Sequence, residues 1–100
     1  MLLIEGWLKL ASGEFAKVAD QARVMVKATN EEDGCIHYSF AQDIADPDLI
    51  RISERWASQE ALGAHMASPH MGTFNKAMGG VTREAADLRL YSAEEVRKLM

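Results

Sequence analysis

Residues 2–10, LLIEGWLKL, alternate in character. Leu2, Ile4, Leu8 and Leu10 fall on one side of an extended chain, and Glu5, Trp7 and Lys9 on the other, which predicts a half-buried strand. After Ser12 the period changes: Phe15, Val18, Ala19, Ala22, Met25 and Val26 recur at helical spacing to about Asn30. Ser12 is the expected N-cap of this helix, with Glu14 complementing the dipole of the first turn. Gly34 restarts the chain as CIHYSFAQDI, with Ile36, Tyr38 and Phe40 on one face and Cys35, His37 and Ser39 on the other. A turn at ADPD separates this run from LIRISERWA, in which Ile50, Ile52, Glu54 and Trp56 alternate against Arg51, Ser53 and Arg55. Two alternating runs joined by a short turn predict an antiparallel hairpin. Ser58 then caps a helix from Gln59 to about Ala67. Ser68-Pro69 breaks and restarts it, Ser68 as a new N-cap and Pro69 at the first helical position. The restarted helix runs through Phe74, Ala77 and Met78 to Gly79-Gly80. ADLRLYS reads as a last strand, and Ser92 with Glu95 forms a capping box that predicts a short tail helix to Met100.

The order is β-α-β-β-α-β, which for residues 1–100 implies one α+β domain with the ferredoxin-like split βαβ arrangement: an antiparallel sheet carrying both helices on one face. Strands with bulky groups on both sides, such as Trp7 beside Leu8 and His37 beside Tyr38, call for a second cover. A homodimer about a two-fold axis would supply it.

Composition narrows the function. The 100 residues are 48% apolar, enough for a core, and the net charge is −4, which argues against a nucleic-acid partner. No apolar run approaches the roughly 18 residues of a membrane span. MLLIEGWLKL lacks the basic start of a secretory leader. With one cysteine no internal disulfide forms, and the expected location is the cytoplasm.

The candidate chemistry is concentrated in residues 54–75. His65 lies on the apolar side of its helix, with Ala61 and Leu62 one turn before it and Met66 beside it. It reads either as a core histidine satisfied by a carbonyl or as a general base on a pocket wall, where apolar surroundings favour the neutral ring. His70 falls at the second position of the restarted helix, whose positive end disfavours imidazolium. It fits a pocket role or an ordinary capping-region site. Trp56 offers a flat surface to an aromatic ligand, or is simply core. Glu54, on the same strand face, requires a partner: an ion pair with Arg51, Arg55 or Arg89 is expected, the alternatives being a place near the dimer seam or a pocket carboxylate with a raised pKa. Tyr38 reaches the pocket if its face of the strand meets the helices, and His37 then faces the dimer. Phe74 is wall or core, and Asn75 a polar group at the pocket mouth. No glycine-rich phosphate loop follows a strand, so neither a nucleotide nor a flavin domain is expected. His65 and His70 stand five apart across a proline break, and no Cys or Asp completes a ligand set, so no metal site is expected.

The segments EEDGCIHY, DPDLIRISERWAS and ALGAHMASPHM, with Glu54-x-Trp56 followed by His65 and then Pro69-His70, resemble the antibiotic biosynthesis monooxygenase domain, and most closely its small quinol-monooxygenase-like members. The resemblance covers nearly the whole chain. It implies a dimeric ferredoxin-like α/β barrel with a pocket between sheet and helices, and oxygenation of electron-rich aromatics such as quinols, often without metal or flavin. On that reading molecular oxygen is the co-substrate, His65 the catalytic base and Trp56 the stacking wall. Tyr38, Met66, His70, Phe74 and Asn75 complete the expected pocket. Haem degradation in the family looks to an asparagine on the first strand, which is absent here. Two alternatives stand beside this reading. One is an isomerase of a small phosphorylated carbonyl compound, with Lys76, Arg83 and Arg89 as candidate clamps. The other is a dimeric ligand-binding protein without catalysis.

Overall fold

The computed structural model describes residues 1–100. Four strands, β1 (Leu2–Leu10), β2 (Cys35–Gln42), β3 (Leu49–Trp56) and β4 (Arg83–Ser92), form one antiparallel sheet in the order β2-β3-β1-β4. Three helices, α1 (Ala19–Asn30), α2 (Gln59–Met66) and α3 (Pro69–Met78), complete the chain. This is the expected ferredoxin-like α+β arrangement. Leu2, Ile4 and Leu8 of β1 stand opposite Trp56, Glu54 and Ile50 of β3, so the alternation seen in each strand faces the same side. Above it α1 packs along β2 and against α3, while α2 touches β3. Trp56, Tyr38, Met25, Ala22, Leu62 and Phe74 make the central core. No helix is long and apolar enough to cross a membrane.

Two glycines set close approaches. A Cβ on Gly6 would stand 1.9 Å from the Asp87 carbonyl oxygen, so glycine lets β4 close on β1. Gly34 has φ +80°, and a Cβ there would meet the Ala61 Cβ at 2.5 Å. Glycine thus both permits the turn into β2 and lets α2 sit against it.

Three local expectations are corrected. The chain from Ser12 does not enter α1 directly. Gly13 turns it in the left-handed region (φ 73°), a single 3-10 turn spans Glu14–Lys17, and Ser12 caps nothing. The Gly13 N–H instead donates to Asp48 Oδ1 at 3.0 Å, so this corner is held from the β2–β3 turn. The register of β2 slips between Cys35 and His37. This bulge places Cys35 against the core and leaves Ile36 half exposed, although alternation alone had put Ile36 with Tyr38. The tail helix does not form: Ser92 is paired with Leu2 at the end of β4, and residues 93–100 carry no regular structure. Val96 and Leu99 are more than four-fifths exposed. A helix of that length without a packed face cannot offset its nucleation cost.

β4 is bare on both sides. Leu88 and Leu90 share the helix-side face with Gly6 and Ile4, Tyr91 shares the other face with Leu3, and all three are about half exposed.

Candidate functional site

Two serines build the corner that carries both site histidines. Ser58 accepts from the Ala61 N–H at 3.1 Å and starts α2. From that start, Leu62 and His65, three apart, both turn inward and are buried. Ser68 caps α3 by accepting from the Met71 N–H, and its own hydroxyl donates to the His65 carbonyl at 2.7 Å. The end of α2 is thereby fastened to the start of α3. Pro69 occupies the first position of α3, His70 the second, and the change of direction brings both imidazoles to one place.

Glu32, in the turn between α1 and β2, meets them there. His65 Nδ1 lies 2.7 Å and His70 Nε2 3.0 Å from the same oxygen, Glu32 Oε2. His65 is 2% exposed, while Glu32 and His70 are mostly covered, so the cluster runs from the core to the rim. An ionised carboxylate only accepts, so the nitrogen facing Glu32 carries the hydrogen on each neutral ring. On His65 this leaves Nε2 as the basic nitrogen.

Aromatic rings enclose His65. Trp56, fully buried, lies 4.8 Å from it between ring centroids, and Tyr38 5.2 Å. Tyr38 is positioned by the end of α1: Asn30 Nδ2 donates to the Tyr38 carbonyl at 2.8 Å, and the Tyr38 N–H donates to Asn30 Oδ1 at 3.1 Å. Tyr38 Oη and His65 Nε2 have no hydrogen-bond partner within the chain, yet no fully buried polar side-chain atom goes unpaired. Both atoms therefore keep a small residual contact with solvent, although their residues are almost wholly buried. Burial pushes the Tyr38 phenol well above its ordinary range, assisted by the Glu54 carboxylate, so it stays a hydrogen-bond donor at neutral pH.

Glu54 is not paired with an arginine. It accepts from Trp56 Nε1 at 2.9 Å, while Arg51 is taken by Asp43 and Arg89 by Asp87. Burial raises the Glu54 carboxyl, and the Trp56 N–H only partly opposes it. The folded chain therefore holds this proton more tightly than the unfolded one, and Glu54 costs stability as the pH rises through its raised pKa. Glu54→Gln keeps an oxygen for the indole. In urea titrations it is expected to match the parent in acid and to gain on it progressively toward neutral pH.

The remaining residues expected at the pocket divide. Phe74 is buried, edge-on to Phe40 at 5.8 Å, and serves as core behind the site. Met66 and Asn75 do not stand with His65. Met66 is 64% exposed, because one helical step from the inward His65 turns it to solvent, and Asn75 is likewise exposed beside the inward Phe74. His37 faces the other side of the sheet, 3.0 Å from Ser39 Oγ. Lys76, Arg83 and Arg89 are exposed, and the histidines' ion-pair partner is Glu32 alone. Trp56, expected to wall the pocket, is fully buried and does not line the cavity found beside the site. That apolar cavity, of about 210 Å³, opens between α1 and β2, lined by Phe15, Ala22, Val26 and Phe40 among others, with Arg23 and Gln42 as its polar groups. Phe40 stacks on Tyr38 at 5.6 Å, so Tyr38 stands between this cavity and His65.

Sequence reasoning missed Glu32 and Asn30. Both lie in a segment whose pattern marks only the end of a helix, and their roles depend on residues that the sheet brings back from 33 and 8 positions away.

Comparison with known proteins agrees with this architecture. The family model for antibiotic biosynthesis monooxygenase matches residues 1–77. A protein of Escherichia coli K12 named "Probable quinol monooxygenase YgiN" is 34% identical over 71 residues, covering 63% of this chain and 68% of that protein. An uncharacterised Synechocystis protein, sll1783, is 21% identical over 98% of this chain and 67% of its own length. Among solved structures, a Deinococcus radiodurans protein described provisionally as an antibiotic biosynthesis monooxygenase superposes with a TM-score of 0.86 at 25% identity, over 100% of this chain and 99% of that one. The fold is also that of Rv0793 from Mycobacterium tuberculosis, with a TM-score of 0.83 at 18% identity over 96% and 98% of the two chains. With 77 of its 100 residues matched by the family model and its helices and strands in the same places, the chain belongs to the antibiotic biosynthesis monooxygenase family.

Proposed function

We propose that the protein is a cofactor-independent monooxygenase of quinol-like or polyphenolic substrates, with His65 as the base. The observation that carries this is the Glu32–His65 pair: a carboxylate 2.7 Å from Nδ1 fixes the tautomer and leaves Nε2 basic on a ring walled by Trp56 and Tyr38. It is the orientation logic by which a carboxylate prepares histidine for proton abstraction. The name of the Escherichia coli relative supports quinols as the class.

The substrate hydroxyl gives its proton to Nε2. The resulting phenolate is electron-rich enough to reduce O2 directly. One oxygen atom enters the ring and the other leaves as water, all the electrons coming from the substrate as it becomes a hydroxyquinone. Glu32 stabilises the imidazolium formed on the way. The Tyr38 hydroxyl, held protonated by burial, is placed to donate to the substrate. The apolar cavity beside Phe40 is the entrance on this reading, and Tyr38 and Phe40 turn aside to admit an aromatic ring to His65. Incubation of a hydroquinone with the protein under 18O2 is expected to put label into the product. Equal turnover without oxygen removes the proposal.

The bare faces of β4 are proposed to be covered by a second copy of the chain. Sedimentation at micromolar concentration is expected to show a particle of twice the 11.1 kDa chain mass. Leu90→Asp is expected to shift it toward the monomer. The single thiol, Cys35, suits a reducing compartment such as the cytoplasm.

A further inference from the structure

The cluster of Glu32, His65 and His70 has a second chemistry, independent of the oxygenation proposed above. Two imidazole nitrogens and a carboxylate oxygen, from three separate segments, converge so that their ligating atoms all lie within 4.8 Å of one another. Around a tetrahedral dication with bonds of about 2.0–2.1 Å, ligand atoms stand roughly 3.3 Å apart. The observed separations of 2.7 and 3.0 Å to Glu32 Oε2 need to open by about 0.3–0.6 Å, and the two nitrogens, within 4.8 Å of each other, to draw together by up to about 1.5 Å. The corner is built to hold such a geometry: the Ser68 hydroxyl ties the His65 carbonyl at 2.7 Å, and Pro69 stiffens the first turn of α3. Glu32, placed in a turn rather than a helix, is the arm that can adjust. Glu32 and His70 retain about a fifth or less of their side-chain surface in contact with solvent, which gives an ion a way in. Expecting no metal because no Cys or Asp completes a set with the histidines left Glu32 out of the set.

We infer that Glu32, His65 and His70 form a binding site for a borderline transition-metal dication of the Zn2+ or Co2+ class. Imidazole and carboxylate ligands select that class, whereas Mg2+ and Ca2+ take shells of six or more oxygens. Three protein ligands leave a fourth position open, as in exchangeable rather than structural zinc sites. Metal bound at Nδ1 of a neutral His65 places the ring hydrogen on Nε2. The metal-bound protein therefore has no basic nitrogen at that position: an occupied site and a working base exclude one another, and the ion acts on the proposed reaction as an inhibitor.

The test is direct binding. The chelator-treated protein is titrated with Co2+ and read by its visible d–d absorption, and Zn2+ stoichiometry is measured by equilibrium dialysis. One ion per chain is expected, with intense absorption typical of low coordination number. Glu32→Gln and His70→Gln are each expected to weaken binding at least about tenfold, by analogy with the loss of a shell group. His37→Gln, on the far face of the sheet, is expected to bind as the parent does. Circular dichroism of each variant separates loss of a ligand from loss of fold, and His70→Gln, at the rim, is the variant that keeps the fold. Absence of Co2+ absorption in the parent overturns the site, and so does unchanged binding in a folded His70→Gln. Because the readout is the ion itself, failure here leaves the oxygenation proposal standing, and failure of turnover leaves the metal site standing.

Discussion

His65→Gln is expected to lower the turnover of a quinol by about 10²–10⁴-fold, the range set by loss of a positioned general base, with circular dichroism showing the chain still folded. Glutamine nearly conserves the volume, and its amide can still donate to Glu32, so the buried corner keeps a hydrogen bond. What it lacks is the ring's basic nitrogen, which in the parent faces away from the carboxylate. The expected signature is a fall in kcat with KM little changed, because the lost interaction belongs to the transition state. Glu32→Gln is expected to lie between parent and His65→Gln: its amide can still touch Nδ1, but it no longer stabilises the imidazolium. Steady-state oxygen uptake with a hydroquinone measures both. An unchanged kcat in His65→Gln would remove His65 from the chemistry and leave it as core.

Trp56→Ala costs about 3–5 kcal/mol of stability, the range for removing a large buried aromatic. Trp56 is fully buried, packs on His65 at 4.8 Å and meets Tyr38 edge-on at 6.4 Å. Its loss opens a cavity in the central cluster. It also strips Glu54 of the N–H at 2.9 Å, leaving a buried carboxylate with no donor. Trp56→Phe separates the two effects: most of the volume returns and the donor does not. It is expected to recover the larger share of the loss, as read by guanidinium denaturation. A loss in Trp56→Ala of less than about 1 kcal/mol would match an ordinary surface substitution and contradict the packing described.

These residues also show what sequence alone discloses. The alternation of Leu2, Ile4 and Leu8 and of Ile50, Ile52 and Trp56 was enough to place two central strands and their faces, because each is covered on the helix side and a two-residue period leaves no other choice. Ser58 and Ser68 announced their helices because capping is local chemistry. Failures came where local preference met something distant. Ser92 begins a good capping box, but its backbone is committed to Leu2 across the sheet. Ser12 stands ahead of a helical pattern, but Gly13 is turned and held by Asp48. Ile36 alternates correctly with Tyr38 in sequence, yet one bulge exchanges it for Cys35. His65 and Trp56 were expected at a site from the family resemblance, His65 also from its apolar setting, whereas Glu32 was not, since nothing near it in the chain signals that two imidazoles will arrive. Arginine partners for Glu54 were plausible by count, but each of the two that have one is held by an aspartate closer to it.

Glu32 is separated from its two imidazoles by 33 and 38 residues. Bringing such distant groups together is expected to follow the closing of β1, β2 and β3 rather than precede it, since the loop entropy is repaid only by the completed sheet and its helices. During synthesis the carboxylate leaves the ribosome long before α3 does, and the nascent chain carries neither an oriented base nor a chelate until His70 has emerged and docked. On the proposed readings, reactivity toward oxygen or metal is expected to be withheld from unfinished or truncated chains.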